Sequence, residues 1–218
     1  MEAKKKFAVI LSGCGVYDGA EIHEATLTLL AIHKLGGTFQ VFAPDVPQHH
    51  VINHLTGEVM AETRNVLVES ARIARGNARP LSDYRTKDFD AIILPGGFGA
   101  AKNLSDFAFK GARLTVHEEL TKVLKETHKA GKPIGALCIA PVILAKIFER
   151  AKVTIGQDHS TAAAIVNMGA EHVSTGHREV VIDRVHKLVT SPCYMLDANL
   201  ADIAEGAENT VRALLEMM

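Results

Sequence analysis

Cys138 is the residue whose position most clearly suggests chemistry. It lies at a turn between an apolar run of strand length, 132–137, and a helical period over 142–147. Unpaired backbone amides at a helix start carry partial positive charge, so we expect this thiol to ionise more readily than a free thiol, whose pKa is about 8.5. Cys138 is therefore a candidate nucleophile. The alternative is a small buried residue without chemistry.

A glycine cluster supplies what such a nucleophile would need. Residues 95–99 read Pro-Gly-Gly-Phe-Gly and follow the apolar run 91–94. Glycines leave backbone N–H groups open to a ligand, and the carboxyl ends of parallel strands meet at one edge of a sheet. The two stretches together predict a nucleophile beside an oxyanion hole, which is a set of amides that stabilises negative charge on an attacked carbonyl oxygen.

Composition places the chain among globular proteins. It has 218 residues, 47% of them hydrophobic, and a formal net charge of -1. We therefore expect one domain over 1–218 with no nucleic-acid or membrane partner. No apolar signal segment precedes the first strand, and the three cysteines, Cys14, Cys138 and Cys193, form no zinc pattern. These features favour a soluble protein in the cytoplasm, with reduced thiols and no bound metal.

The pattern of apolar residues predicts an α/β fold, with a mostly parallel sheet and helices on both faces. The opening is a β-α-β unit, and a hairpin joins two strands near the end of the chain. The interval 79–88 is expected to be a polar connection. Strands are expected at 7–11, 38–43, 89–94, 153–155, 180–183 and 187–190, and helices at 21–35, 61–75, 104–109, 116–129, 160–168 and 196–215.

Other candidate sites are weaker. Gly13, Gly15 and Gly19 lack the spacing of a dinucleotide fingerprint, although their loop faces the predicted site and carries Tyr17. The loop histidines at 49, 50 and 54 lack a carboxylate or cysteine at metal-ligand spacing. His159 is an alternative base for Cys138, but an exposed role at a helix start is favoured. The sequence His177-Arg178-Glu179 suggests a Cys-His-Glu triad, but it opens a hairpin strand, which disfavours that role.

Four motifs occur together in this chain, and they resemble those of the ElbB family, also called enhancing-lycopene-biosynthesis or isoprenoid-biosynthesis proteins with an amidotransferase-like domain. The motifs are residues 12–19, 21–24, 94–104 and 138–141. The family belongs to the class I glutamine amidotransferase-like superfamily, on the branch with PfpI-type proteins and the Parkinson-disease deglycase. The resemblance implies a flavodoxin-like three-layer sandwich, a nucleophile elbow, glyoxalase activity without added cofactor, and a homodimer.

The resemblance also implies roles for individual residues. The elbow cysteine falls on Cys138, and the acidic partner, counted back from the glycine that ends the first helix, falls on Glu24 rather than Glu21. The oxyanion donors fall on the amides of Gly97 and Ile139. We add Gly96, Asn103 and Tyr17 as substrate-binding residues. Ile139 stands where PfpI-type members often carry a catalytic histidine, which weakens a protease or glutaminase reading.

The resulting functional hypothesis is a glyoxalase that needs neither glutathione nor a cofactor. Cys138 would add to a small dicarbonyl such as glyoxal. Glu24, with a raised pKa, would move a proton from the attacked carbon to the neighbouring oxygen, and hydrolysis of the thioester would release a hydroxy acid. The alternative is a redox-sensing or ligand-binding regulator linked to isoprenoid biosynthesis, in which Cys138 is oxidised. An amidotransferase subunit is disfavoured by the missing histidine.

Overall fold

The first strand, β1, has side chains that are buried on both faces. Phe7 and Val9 pack into one hydrophobic cluster, and the intervening Ala8 and Ile10 pack into another. All four are fully buried. A strand buried on both faces needs a covering layer on each side, so the chain folds as three layers.

Residues 4–218 are described by the computed structural model, and they form nine strands and eight helices with short 3-10 turns between them. The strands are β1 (Lys6–Ile10), β2 (Thr38–Ala43), β3 (Ala78–Pro80), β4 (Ala91–Leu94), β5 (Ile134–Leu137), β6 (Lys152–Val153), β7 (Glu171–His172), β8 (Val181–Asp183) and β9 (Leu188–Ser191). The helices are α1 (Ile22–Lys34), α2 (Val66–Ile73), α3 (Phe98–Lys102), α4 (Phe107–Lys110), α5 (Glu118–Lys129), α6 (Pro141–Ile147), α7 (His159–Asn167) and α8 (Leu200–Glu216).

Seven strands form the main sheet in the order β3-β2-β1-β4-β5-β9-β8. Every neighbouring pair is parallel except β8 and β9, which form the predicted antiparallel hairpin. The run β2-β1-β4-β5-β9 has the strand order of flavodoxin-like folds. The predicted flavodoxin-like α/β sandwich is confirmed.

Two pairs of helices cover the sheet. α1 and α8 pack on one face through residues such as Ile32 and Leu214. α5 and α6 pack on the other face through residues such as Leu124 and Ile143. A separate parallel pair, β6 and β7, lies outside the main sheet.

Strand register brings the two predicted site stretches together. β4 and β5 are parallel neighbours, with Leu94 paired to Ala136. Gly96 and Cys138 each lie two residues after this pair, so they are neighbours just beyond the ends of the two strands. β1 flanks β4 on the other side, so the loop after β1 reaches the same edge of the sheet. This edge is the place where parallel α/β sheets bind ligands.

Several element boundaries differ from the sequence predictions. Residues 79–88 were expected to be a connection, but Ala78–Pro80 forms the edge strand β3. The helix expected at 104–109 is replaced by α3, which begins inside the glycine cluster, and by the single turn of α4. Short elements of this kind carry too few apolar residues to show a period.

Side-chain caps account for two further corrections. α2 begins at Val66 rather than at 61, because the Asn65 side chain accepts the Val68 amide. α8 begins at Leu200 rather than at 196, because Asn199 and Asp202 form a reciprocal capping box. In both cases the cap satisfies amides that have no partner within the helix and thereby fixes the first turn.

Candidate active site

Cys138 occupies a strained turn between β5 and α6. Its φ angle is +59°, a left-handed conformation that costs a residue with a side chain about 1–2 kcal/mol. Two features hold the turn in place: the Cys138 amide donates to Ser191 O on β9 at 2.9 Å, and Pro141 begins α6. The strand, sharp turn and helix form the nucleophile elbow that the sequence predicts.

Glu24 reaches the elbow from the first turn of α1 and is fully buried. Its Oε2 accepts the Gly96 amide at 2.9 Å, and its Oε1 accepts the Tyr194 amide at 3.2 Å. The carboxyl group also lies beside the Cys138 side chain, since a Cβ placed on Gly96 would lie within 3 Å of both Glu24 Oε2 and Cys138 Sγ. Glu21, one turn earlier, instead caps α1 by accepting the Glu24 amide at 2.7 Å. The structure therefore places Glu24, and not Glu21, against the sulfur.

Gly96 is required for this close approach. A Cβ on Gly96 would lie 2.4 Å from Cys138 Cβ, 2.7 Å from Glu24 Oε2 and 2.9 Å from Cys138 Sγ. These distances are shorter than van der Waals contact allows, and the neighbours are fixed by the elbow and by two amides. Gly96 was expected to bind substrate. Its amide instead donates a hydrogen bond to Glu24, so Gly96 holds Glu24 in place beside Cys138.

Gly96→Ala should therefore destabilise the protein by about 1–3 kcal/mol through overpacking. The measurement is urea unfolding of the variant beside wild type. Gly176→Ala is the matched control, because a Cβ there meets only Glu179 Oε2 at 3.4 Å, an ordinary contact. Equal loss of stability in the two variants would show that the space between Gly96 and the side chains of Cys138 and Glu24 is large enough for a methyl group.

Burial shifts the proton equilibria of both groups. Desolvation, and secondly the nearby Glu21 carboxylate, raise the pKa of Glu24 to about 7. Desolvation, followed by the Glu24 carboxylate, raises the pKa of the Cys138 thiol well above its usual range, and the Gly97 amide opposes this only in part. The expectation of a readily ionised thiol was wrong, because burial outweighs the partial charge at the helix start. The thiol keeps its proton at neutral pH, with Glu24 beside it to accept that proton.

The raised pKa of Glu24 predicts a pH-dependent stability. Between its unfolded value of 4.5 and its folded value of about 7, the folded state holds a proton that the unfolded state has released. The contribution of this proton to the free energy of unfolding is therefore fully present below pH 4.5. It is lost as the pH rises towards 7, and the loss is about 3 kcal/mol. Glu24→Gln lacks this titration. Urea unfolding at pH 4.5 and pH 8 should show the variant gaining about 3 kcal/mol relative to wild type, and a difference that is constant with pH would contradict the shift.

Two backbone amides point to an oxyanion hole. Gly97 and Ile139 flank Cys138 and line the same cavity. Within residues 4–218, neither amide donates to a backbone or side-chain oxygen. Gly97 adopts a φ of +93°, and a Cβ there would meet Glu21 N at 2.4 Å, so only glycine fits this turn. The arrangement can stabilise a negative oxygen formed next to the sulfur.

A cavity of about 350 Å³ opens in front of the sulfur. Its polar side chains are Glu21, Asp158, Thr161 and Tyr194, and most of its remaining lining is apolar. The lining residues are Val16, Glu21, Gly97, Phe98, Ala101, Phe107, Ala108, Cys138, Ile139, Asp158, Thr161, Tyr194 and Met195. None of them is a histidine.

Tyr17 and Asn103 do not line this cavity, so their prediction as substrate-binding residues is corrected. The Asn103 side chain is fully engaged: Nδ2 donates to Ser12 O and Asp18 O at 2.9 Å, and Oδ1 accepts the His49 amide at 2.9 Å. Asn103 thus ties loops together. Tyr17 stacks on His54 with ring centroids 4.9 Å apart and lines a neighbouring cavity instead.

The histidines that were candidate bases or metal ligands lie outside this cavity. His159 is exposed at the start of α7, and His177 lies 3.8 Å from Asp202. His49 packs against His50 and Phe109. Across residues 4–218, no group of three or more histidine, cysteine or acidic side chains is arranged to hold a metal ion.

Sequence reasoning missed two residues of the site, Cys193 and Tyr194. They follow β9, the parallel neighbour of β5, so the rule that sites form at carboxyl ends of strands could have found them. Cys193 packs in the same small cluster as Cys138, and the Tyr194 amide holds Glu24. The Tyr194 hydroxyl lies 2.9 Å from His23 Nδ1. Cys14, the third cysteine of the chain, lies outside the cavity lining.

A family model described as the DJ-1/PfpI family matches residues 16–197. The chain belongs to the DJ-1/PfpI family. Two similar proteins cover nearly all of this DJ-1/PfpI chain. The human glutamine amidotransferase-like class 1 domain-containing protein 3, mitochondrial, is 47% identical in an alignment 222 positions long that covers 97% of this chain and 83% of the human protein. The rat ES1 protein homolog, mitochondrial, is 46% identical in an alignment 224 positions long that covers 98% of this chain and 84% of the rat protein.

Solved structures agree with the assignment to DJ-1/PfpI. The isoprenoid biosynthesis protein with amidotransferase-like domain from Ehrlichia chaffeensis has a TM-score of 0.90 and 35% identity, covering 98% of this chain and all of that one. Glyoxalase III from Candida albicans has a TM-score of 0.61 and 16% identity, covering 96% of this chain and 97% of that one, which shows a shared fold.

The expected cytoplasmic localisation is contradicted, because the human and rat relatives of this DJ-1/PfpI protein are both named as mitochondrial. The expectation was wrong because the apolar-segment test detects secretory and membrane-spanning segments and does not address mitochondria. In the described part of the chain, none of the helices has both the length and the apolar composition needed to cross a bilayer.

Proposed function

We propose that this protein is a glyoxalase that converts glyoxal or a similar small dicarbonyl to a hydroxy acid without glutathione or another cofactor. One observation carries the proposal: the buried Cys138 and Glu24 side chains lie side by side against Gly96, in front of two amides that lack an oxygen acceptor. An aldehyde is already a strong electrophile. A thiol, a proton acceptor and an oxyanion hole therefore suffice for the addition, and no histidine is required.

The first step is addition of the thiol to one aldehyde carbon. The Cys138 sulfur forms the new C–S bond while its proton passes to Glu24, which is why a thiol with a raised pKa still reacts. The carbonyl oxygen gains negative charge beside the amides of Gly97 and Ile139 and then takes the proton from Glu24 to give a hemithioacetal, which leaves Glu24 ionised for the next step.

The second step moves hydrogen between the two carbons. Glu24 removes the proton from the carbon bonded to sulfur, and the electron pair forms an enediolate with the neighbouring carbonyl. The enediolate oxygen takes that proton back from Glu24 to give an enediol. The far carbon then gains a proton while the hydroxyl group on the sulfur-bearing carbon loses one, which gives a hydroxyacyl thioester with no net oxidation of the substrate as a whole. Water then cleaves the C–S bond, releasing glycolate and the Cys138 thiol. A pKa of about 7 suits Glu24 for both accepting and returning protons at neutral pH.

We also infer that the chain belongs to the ElbB branch of its family. Support comes from the Ehrlichia chaffeensis isoprenoid biosynthesis protein, whose structure matches over the full length. The glyoxalase III of Candida albicans shares the fold at low identity. It therefore supports only the point that this fold is compatible with the proposed reaction.

A redox-sensing or ligand-binding regulator is the second candidate. It is favoured by the position of Cys193, a second buried thiol in the same cluster as Cys138. In this case Cys138 would be oxidised, with Glu24 hydrogen bonding to the product, and any turnover would be incidental.

Steady-state conversion of glyoxal by the purified protein tests the proposal. We expect glycolate, identified by NMR, to form at about 1 per second or faster. Intact-mass spectra of the same samples report the oxidation state of Cys138. Slower turnover accompanied by ready sulfinate formation would overturn the glyoxalase and favour the regulator.

A further inference from the structure

The cavity in front of Cys138 combines apolar walls with two carboxylates. Phe98, Phe107 and Met195 contribute large apolar side chains to its lining, and Glu21 and Asp158 contribute the acidic groups. Its volume of about 350 Å³ lies in the range of pockets that hold ligands much larger than glyoxal, which has only four non-hydrogen atoms. The shape therefore leaves room for an apolar group attached to the reacting dicarbonyl.

Both carboxylates are fixed in place by helix starts. Asp158 Oδ1 accepts the Thr161 amide at 2.7 Å and the Ser160 hydroxyl at 2.8 Å, and these hydrogen bonds hold the pKa of Asp158 below its usual range. Asp158 is thus ionised at neutral pH, and it occupies an amide that could otherwise bind a ligand anion. Glu21 accepts the Glu24 amide in the same way at the start of α1.

Within the described residues, the cavity lining contains no lysine, arginine or histidine to neutralise these charges. Three cationic or titratable side chains lie close by. The first, His159, follows Asp158 directly and helps to lower the pKa of Asp158, but it does not line the cavity. Lys102 Nζ donates to Tyr17 O at 3.0 Å and lines the neighbouring cavity, and His23 Nδ1 lies 3.9 Å from Glu21 Oε1 on the side of the Tyr194 hydroxyl. A substrate carboxylate or phosphate would therefore meet two carboxylates without a matching cation.

The geometry points to a charge-selective site, which takes neutral or cationic α-oxoaldehydes bearing an apolar substituent and rejects anionic ones, with Glu21 and Asp158 as the specificity-determining residues. This inference rests on the proposed function. The apolar walls contribute affinity in proportion to the surface that they bury, and the carboxylates set the sign of the accepted charge.

Alkylation of Cys138 tests charge selection independently of turnover. Iodoacetamide and iodoacetate are similar in size and differ in charge. Their rates at Cys138 are measured by intact mass and peptide mapping, and their ratio is compared with the ratio at N-acetylcysteine. We expect the protein to favour the neutral reagent by at least about tenfold more than the free thiol does. Cys138→Ala controls for alkylation at the other cysteines.

The double variant Glu21→Gln with Asp158→Asn should bring this ratio back towards the free-thiol value. Both replacements keep an oxygen that can accept the capping hydrogen bonds, so the helix starts are retained. Glu119→Gln, an exposed site on α5, is the control for loss of one negative charge elsewhere. A wild-type ratio equal to or below that of the free thiol would overturn the inference, as would a ratio that the double variant leaves unchanged.

A turnover comparison separates this inference from the proposed function. Phenylglyoxal and 4-carboxyphenylglyoxal differ by one carboxylate, and we expect wild type to prefer phenylglyoxal by at least about tenfold in kcat/KM. Equal values for the two substrates would contradict charge selection while supporting the glyoxalase. If neither these compounds nor glyoxal is converted, the proposed function fails, and the alkylation ratio still decides whether the site selects by charge.

Discussion

Cys138→Ala should reduce glyoxal turnover by roughly 10⁴-fold or more, to the level of the buffer, because the C–S bond on which every later step depends cannot form. Alanine has a Cβ, as cysteine does, so it meets the same steric cost in this left-handed turn and the elbow should keep its backbone conformation. Loss of activity should therefore occur without loss of fold. The measurements are glycolate formation and far-UV circular dichroism on the same preparation.

Cys14→Ala is the matched control for that substitution. Cys14 is partly exposed in the loop after β1 and lies outside the lining of the cavity, so its loss should leave turnover within about twofold of wild type. Glycolate formation that persists in Cys138→Ala would assign the chemistry to another group and exclude a covalent route through this thiol.

Glu24→Gln should lower kcat/KM for glyoxal by about 10²–10⁴-fold, the usual contribution of a positioned general base. The amide can neither take the thiol proton nor remove the proton from carbon. It also has only one oxygen for the two amides of Gly96 and Tyr194 that bond to the carboxylate. The Cys138 sulfur itself remains in place.

The pH profile distinguishes a base from a merely structural carboxylate. Because the pKa of Glu24 is raised to about 7, the fraction of Glu24 that can accept a proton grows as the pH rises through 7. Wild-type kcat/KM should rise over the same interval, and the residual activity of Glu24→Gln should lack that rise. An identical profile in the two proteins would remove Glu24 from the proton-transfer steps.

Much of the fold could be predicted because its signals are local. The apolar run of β1, the glycine after α1 and the elbow around Cys138 each lie within a few residues, and the parallel register follows from the β-α-β order. β3 and α3 could not be predicted in this way. β3 is three residues long with mixed polarity, and α3 begins within glycines that read as a loop.

The candidate site was predicted in its pairing but not in its electrostatics. The family resemblance, counted back from the glycine that ends the first helix, points to Glu24 rather than Glu21. Glu24 is the glutamate whose carboxyl group accepts the Gly96 and Tyr194 amides, and its catalytic role is a proposal. The state of the thiol depends on burial, which is a property of the whole packed molecule. The prediction for Asn103 failed for a related reason. Its hydrogen-bond partners lie in loops far away in the sequence, and residue spacing cannot predict such contacts.

Acid quench of Glu24→Gln at increasing times after mixing with glyoxal tests the central claim most directly, because it follows addition to Cys138 and the later proton transfer as separate events. Intact mass and peptide mapping then locate any adduct. In Glu24→Gln the thiol proton must pass to water, so we expect one glyoxal mass to build up slowly on Cys138 with little glycolate, no adduct at that position in Cys138→Ala, and rapid glycolate formation in wild type. Glycolate formed by Glu24→Gln at the wild-type rate, or an unmodified Cys138 in a protein that still turns over glyoxal, would contradict the cysteine and glutamate mechanism.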